Sequence, residues 1–193
     1  MELLKQRIRE EGRALNADVL LVDSFLNHQV DVALMQAIGE EFARRFAQER
    51  MERVVTVESS GIAPAAMTAL AMGLPLVVLK KQTSRILSED VWQSTVRSFT
   101  KGTQYELTLK RRYMPEGARV LLIDDFLASG EAALGVLDVL RQAGAVLAGV
   151  GIVIEKAFQP GRARLQAQGC AVHALARIAA MGPQGIVFDD TPC

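Results

Sequence analysis

Apolar residues recur along this chain at two spacings, one helical and one suited to buried strands, and the two alternate. Leu3, Leu4 and Ile8 stand at near-helical intervals among Glu, Lys and Arg, which predicts a short amphipathic helix ending near Gly12, a strap or docking element. After a connector over 16–30, Asp31 is placed to N-cap a long helix whose apolar face is Leu34, Met35, Ile38, Phe42 and Phe46. The β-branched run at 54–57 predicts a strand, the turn 58–64 leads into an Ala, Met and Leu helix that stops at Gly73, and 74–79 predicts the next buried strand. Residues 80–104 are polar with scattered apolar positions and read as a mobile insertion, with Tyr105, Leu107 and Leu109 on one side of its returning strand.

The second half repeats the alternation. Residues 118–125 predict a strand ending in two carboxylates, followed by a helix over 131–143 that Gly144 closes. The run at 145–154 is apolar throughout, as in a strand covered on both faces, and 160–169 predicts a helix with Pro160 near its start and Gly169 as its stop. Residues 172–178 are the last predicted strand. Strands and helices in this order predict a single α/β domain with a mainly parallel sheet.

Composition narrows the partners. Half of the 193 residues are hydrophobic and 23% are charged, ordinary for a soluble globular chain. Twenty-two Lys and Arg balance 22 Asp and Glu, which argues against a nucleic-acid partner. The longest apolar run spans 145–154, about half the length a membrane-crossing helix needs, so no membrane association is expected. The opening MELLKQRIREEGR lacks the uninterrupted apolar core of a secretory signal, so a cytoplasmic location is expected. Cys170, Cys193, His28 and His173 have neither the spacing of a disulfide framework nor that of a zinc site.

In open α/β sheets ligands gather at the carboxyl ends of strands, which here are followed by ESSG, KKQT, DDFLASG and EKAFQPG. Each turn alone also fits a plain strand-to-helix connection; four at one rim favour a site. The richest is Asp124-Asp125-Phe126-Leu127-Ala128-Ser129-Gly130. Small residues at 128–130 allow a sharp turn at a helix N-terminus, where N–H groups and the helix dipole seat a phosphate. Carboxylates beside that seat repel a phosphate unless they accept sugar hydroxyls or hold magnesium, and a sugar phosphate satisfies both demands. No G-x-x-x-x-G-K-[ST] motif occurs, and Gly149 and Gly151 lie inside a strand.

IDDFLASG resembles the phosphoribosyl-diphosphate motif of the type I phosphoribosyltransferases. Over nearly the whole chain, VDSFLNHQ, ESSGIAP, SFTK, IDDFLA, QAGA and GIVIEKAFQPGR are similar to segments of the bacterial members that act on xanthine. The resemblance implies the type I fold: a mainly parallel twisted sheet flanked by helices, with a small N-terminal hood over about 1–30 and a flexible lid over about 82–104. It implies transfer of phosphoribosyl from phosphoribosyl diphosphate to N9 of xanthine, with Mg2+ and as a homodimer. Guanine or hypoxanthine as the base, or a non-catalytic sensor of phosphoribosyl diphosphate, are the alternatives. The balanced charge, and the lack of room for a helix-turn-helix before residue 54, speak against the sensor.

The resemblance also assigns residues. Ala128, Ser129, Gly130, Glu131 and Ala132 would cradle the 5′-phosphate, and Asp124 and Asp125 would meet the ribose hydroxyls. Ser59, Ser60 and Gly61 match the diphosphate turn, and Lys80 or Lys81 would supply a cation. Ser98, Thr100 and Lys101 would be lid contacts. Leu20, Asn27 and Lys156 would surround the purine, with Phe126, or Phe158, stacking on it. Many members carry T-G-G-T where this chain has Ser129-Gly130-Glu131-Ala132, and Glu131 is expected to point outward from the first helical turn.

Overall fold

The computed structural model describes residues 1–82, 90–98 and 103–189. It begins with α1 (Glu2–Glu11), whose Leu4 and Ile8 are buried, and a short antiparallel pair, β1 (Arg13–Ala14) with β2 (Leu20–Leu21). The connector also holds one π-helical turn, Asp23–Asn27. Helix α2 (Val32–Arg45) starts as expected, the Leu34 N–H donating to the Asp31 carboxylate at 3.0 Å. Then follow β3 (Arg53–Val57), α3 (Ile62–Met72) and β4 (Leu76–Gln82). After β5 (Val91–Ser98) and β6 (Thr103–Lys110) come β7 (Arg119–Leu127) and α4 (Glu131–Gln142). The chain closes with β8 (Val146–Lys156), α5 (Gly161–Gln166), β9 (Val172–Gly182) and β10 (Gly185–Phe188).

One sheet carries the strands β3 to β10 in the order β10-β9-β8-β7-β3-β4-β6-β5. From β9 across to β4 neighbours run parallel; β10, β6 and β5 add antiparallel edges. The expected α/β architecture is therefore present. In β7 the side chains alternate between two apolar layers: Val120 and Leu122 pack with Val136 and Leu140 of α4, while Leu121 and Ile123 pack with Ile38 and Phe42 of α2. That double burial is why the central strands read as unbroken apolar runs.

Two strands of the large sheet depart from the sequence reading. Part of the expected insertion is strand: β5 pairs with β6 along its whole length, Val91 opposite Lys110 through Ser98 opposite Thr103. Strand β10, which was not anticipated, turns back on β9 after Pro183. Among the described residues no helix is long and apolar enough to cross a membrane. Cys170 is a buried free thiol, and Cys193 lies outside the described residues.

Candidate active site

Strand order places the site. The chain leaves β3 toward β4 on one side, while β7 lies against the other side, so the sheet changes winding direction between β3 and β7. A crevice opens at the carboxyl ends of strands at such a switch point. Its walls are the turn 58–61 after β3 and the acidic end of β7.

These walls touch. A Cβ built on Gly61 would lie 2.8 Å from Asp124 Oδ1 and 2.4 Å from Thr56 Oγ1, so only glycine lets the turn approach the acid this closely. The Glu58–Ser59 peptide is cis. Ser59 is exposed and Ser60 half-buried beside it. Glu58 ties the turn to β4: Lys80 Nζ lies 3.1 Å from Oε2, and the Lys81 N–H donates to Oε1 at 2.5 Å. Burial raises the Glu58 carboxyl, but the hydrogen bonds from Lys81 and Lys80 outweigh it and hold it below the usual range. Lys80 is thus committed to Glu58, whereas Lys81 Nζ lies 5.3 Å from the centre of the Tyr105 ring.

Asp124 is buried at 7% exposure and accepts the Asp125 N–H at 3.0 Å. Burial, together with the neighbouring Asp125 charge, pushes the Asp124 carboxyl well above the ordinary value. Asp125 is raised too, chiefly by burial. Lys81 pulls both toward ionisation. A raised carboxyl pKa means that the folded state holds a proton the unfolded chain has released, so stability falls as pH rises from the ordinary carboxylate value through the raised one. The protein without ligand is therefore expected to melt at progressively lower temperature across that window. Asp124→Asn should flatten the slope and raise the melting temperature at neutral pH; identical slopes in the two proteins would refute the burial argument.

Beyond the acids, the chain turns through Ala128 and Ser129 into Gly130, which caps α4 with φ 83°. A side chain there would be strained by that φ, and its Cβ would sit 3.0 Å from Gly161 Cα. A cavity of about 140 Å³ opens over this loop, lined by Asp124, Phe126, Ala128, Gly130, Glu131 and Ala132, with Arg97 and Tyr105 reaching in from β5 and β6. All five residues expected to cradle a phosphate line it. Arg97 and Tyr105 were missed, because only antiparallel pairing carries them to this rim. Burial raises Tyr105 to about 12, with Asp124 and Glu131 adding to the shift, so it stays a neutral phenol. Glu131 does not point outward as expected: its carboxylate meets Arg164 Nη1 at 2.5 Å.

Of the expected base contacts, Lys156 and Phe126 are brought together, with Nζ 5.5 Å from the ring centre. Lys156 Nζ also donates to the Asp18 carbonyl, tying the end of β8 to the segment before β2. Half-burial lowers the Lys156 ammonium pKa. Leu20 is buried in β2, while Asn27 is exposed at the end of the π-helical turn. Phe158 stands 42% exposed. Ser98 ends β5, and Thr100 and Lys101 lie outside the described residues. Among the described residues no group of three His, Cys, Asp or Glu side chains forms a metal cage.

The phosphoribosyl transferase domain matches residues 29–169. The chain is 58% identical over 179 residues to xanthine phosphoribosyltransferase 1 of Clostridium botulinum strain Hall, covering 93% of this chain and 94% of that protein. It is 54% identical to the xanthine phosphoribosyltransferase of Clostridium acetobutylicum, covering 97% and 100% of the two chains. It is 50% identical to that of Bacillus thuringiensis strain Al Hakam, covering 97% and 95%. Among solved structures, the adenine phosphoribosyltransferase of Trypanosoma brucei, in complex with AMP, pyrophosphate and ribose-5-phosphate, superposes with a TM-score of 0.75 at 17% identity, covering 90% of this chain and 79% of that one. The Saccharomyces cerevisiae enzyme gives a TM-score of 0.72 at 21% identity, covering 91% and 99%.

Proposed function

The chain belongs to the phosphoribosyltransferase family, and from that premise we propose that it transfers the 5-phosphoribosyl group of phosphoribosyl diphosphate to N9 of xanthine in purine salvage. The observation that carries the choice of base is its likeness, at 50–58% identity over nearly its full length, to proteins named for xanthine. The geometry suits the reaction class. The loop 128–132 and the Asp124 carboxylate line one cavity, with Asp125 next to Asp124 in the chain, and a cation and an aromatic ring meet beside it.

In this reading the loop 128–132 binds the 5′-phosphate through backbone N–H groups at the start of α4. Asp124 and Asp125, when ionised, accept the ribose hydroxyls and face the positive charge that builds on the sugar as diphosphate departs. Ser59, Ser60 and Gly61 hold the diphosphate, with Lys81 as the nearby cation. Carboxylate oxygens of Asp124 or Asp125, with substrate oxygens, would hold Mg2+, which favours one or two carboxylates plus phosphates over an all-protein cage. Bound there, the ion neutralises charge on the leaving group. Lys156 donates to the 6-oxo group of the purine, Asn27 donates to the 2-oxo group, Phe126 stacks on the ring, and Leu20 offers apolar surface and backbone. Catalysis is positioning and electrostatics, with no covalent protein nucleophile.

A homodimer in the cytoplasm completes the proposal. A cavity of about 330 Å³ lies on the outer part of the sheet between Leu76, Val78, Val91, Leu109 and Tyr113, and Leu70 nearby in sequence is 75% exposed; these apolar residues suit a second copy. Light scattering giving twice the chain mass would support it, and a monomer would reject it.

The deciding experiment offers xanthine, hypoxanthine, guanine and adenine in turn with phosphoribosyl diphosphate and magnesium, following product by chromatography. Xanthosine monophosphate should dominate. Loss of all products while phosphoribosyl diphosphate still binds would favour a sensor instead. In the same assay, Asn27→Ala should raise KM for xanthine by roughly tenfold, the scale of one hydrogen bond, and leave hypoxanthine, which lacks the 2-oxo group, nearly unchanged. Equal losses for both bases would remove Asn27 from the base site.

A further inference from the structure

Glu131 sits on the rim of the cavity over the 128–132 loop, where a free carboxylate would repel a phosphate. It is not free. Arg164 Nη1 lies 2.5 Å from Glu131 Oε1, and the same nitrogen donates to the Ser129 carbonyl at 2.6 Å. One residue earlier in the loop, the Ala128 carbonyl accepts the Gly161 N–H at 3.0 Å. Two successive loop carbonyls are thus tied to α5. The approach is close enough that a Cβ on Gly161 would lie 2.4 Å from the Ala128 oxygen.

We propose that Arg164 is a positioning residue of the phosphate seat, neutralising Glu131 and holding the Ser129 carbonyl on the α5 side so that the loop receives a doubly charged phosphate without opposing charge. This rests on the reading of 128–132 as the 5′-phosphate site. A guanidinium is suited to the task, because each terminal nitrogen carries two hydrogens, so Nη1 serves a carboxylate and a carbonyl together, and the group stays charged at all working pH. The pair is only partly buried, Arg164 at 38% and Glu131 at 23% side-chain exposure, so its effect should appear in ligand binding more than in folding.

The test is a double-mutant cycle of Arg164→Ala and Glu131→Gln, with steady-state kinetics for both substrates and thermal melting of each variant. Arg164→Ala should raise KM for phosphoribosyl diphosphate roughly tenfold, the scale of an uncompensated charge beside a bound anion, with KM for xanthine changed less than about twofold. Adding Glu131→Gln to Arg164→Ala should recover most of that loss, since the repelling carboxylate is gone. An equal rise in both KM values, or no recovery in the double variant, would overturn the proposal and leave Arg164 a merely structural residue. A wild-type protein that neither turns over nor binds phosphoribosyl diphosphate would instead overturn the reading of the site itself, and this proposal with it.

Discussion

Replacing Asp124 and Asp125 together with Asn is expected to lower kcat/KM for phosphoribosyl diphosphate by roughly 10³-fold, while Ser129→Ala should cost less than about tenfold. Asn matches Asp in shape, so packing at the end of β7 is kept and only charge is lost. What disappears is the charge that strengthens the hydrogen bonds accepted from vicinal hydroxyls and that faces the positive charge developing on the ribose. Because burial already opposes ionisation of Asp124, the apoprotein should gain stability from Asp124→Asn while the enzyme loses rate. A site that is costly to the empty fold and useful to the reaction is where such a trade is expected. Comparable losses from Ser129→Ala and the double Asn variant, measured by steady-state kinetics at saturating xanthine, would reverse the roles assigned here.

The largest effect on stability is expected at Glu155. It lies at 1% exposure near the end of β8 and receives both arms of Arg162, Nε at 2.7 Å and Nη2 at 2.5 Å. Arg177 Nε approaches at 3.2 Å, and Arg177 Nη2 continues to Asp189 at 2.9 Å. Arg162 Nη1 also donates to the Val172 carbonyl at 2.9 Å, so the network joins β8, α5 and β9. Removing the carboxylate leaves two largely buried guanidinium groups without their shared anion. Glu155→Ala should cost about 3–5 kcal/mol, the range for breaking a buried pair, and lower the melting temperature by roughly 6–20 °C for a chain of this size. Glu155→Gln, which keeps the volume and one acceptor, should fall between. Lys156 follows Glu155 directly, so the folded fraction of either variant should also show a raised KM for the base. A melting temperature within about 2 °C of wild type for Glu155→Ala would mean that the network contributes little.

Much of this was legible in the residue pattern, for identifiable reasons. The central strands are buried on both faces and had to be apolar without interruption, so their ends could be read, and each handed over to charged residues at the rim. Asp31 announced the start of α2 because an N-cap needs a short acceptor side chain. Strand β5 was illegible because, of the side chains described along it, only Val96 is fully buried, and an edge strand under so little apolar demand reads as loop. Strand β10 is four residues long, with Ile186 and Phe188 half-buried and the rest exposed, too brief for alternation to register. Glu155 read as the first residue of a rim turn, and Glu131 as an outward helical charge, because the arginines that hold them are set by how α5 and β9 fold back, not by local spacing.

The order of helices and strands, the acidic strand end and the small-residue turn after it were written in local chemistry: alternation sets burial, and burial sets which segments extend or coil. Which rim turns face each other was not. That depended on β7 lying beside β3 opposite β4, a choice made by the packing of helices on both faces of the sheet, and it brought Gly61 against Asp124 across the crevice. The same packing laid α5 against the loop after β7, so that a charge opposed to phosphate could be neutralised by a residue more than thirty positions away.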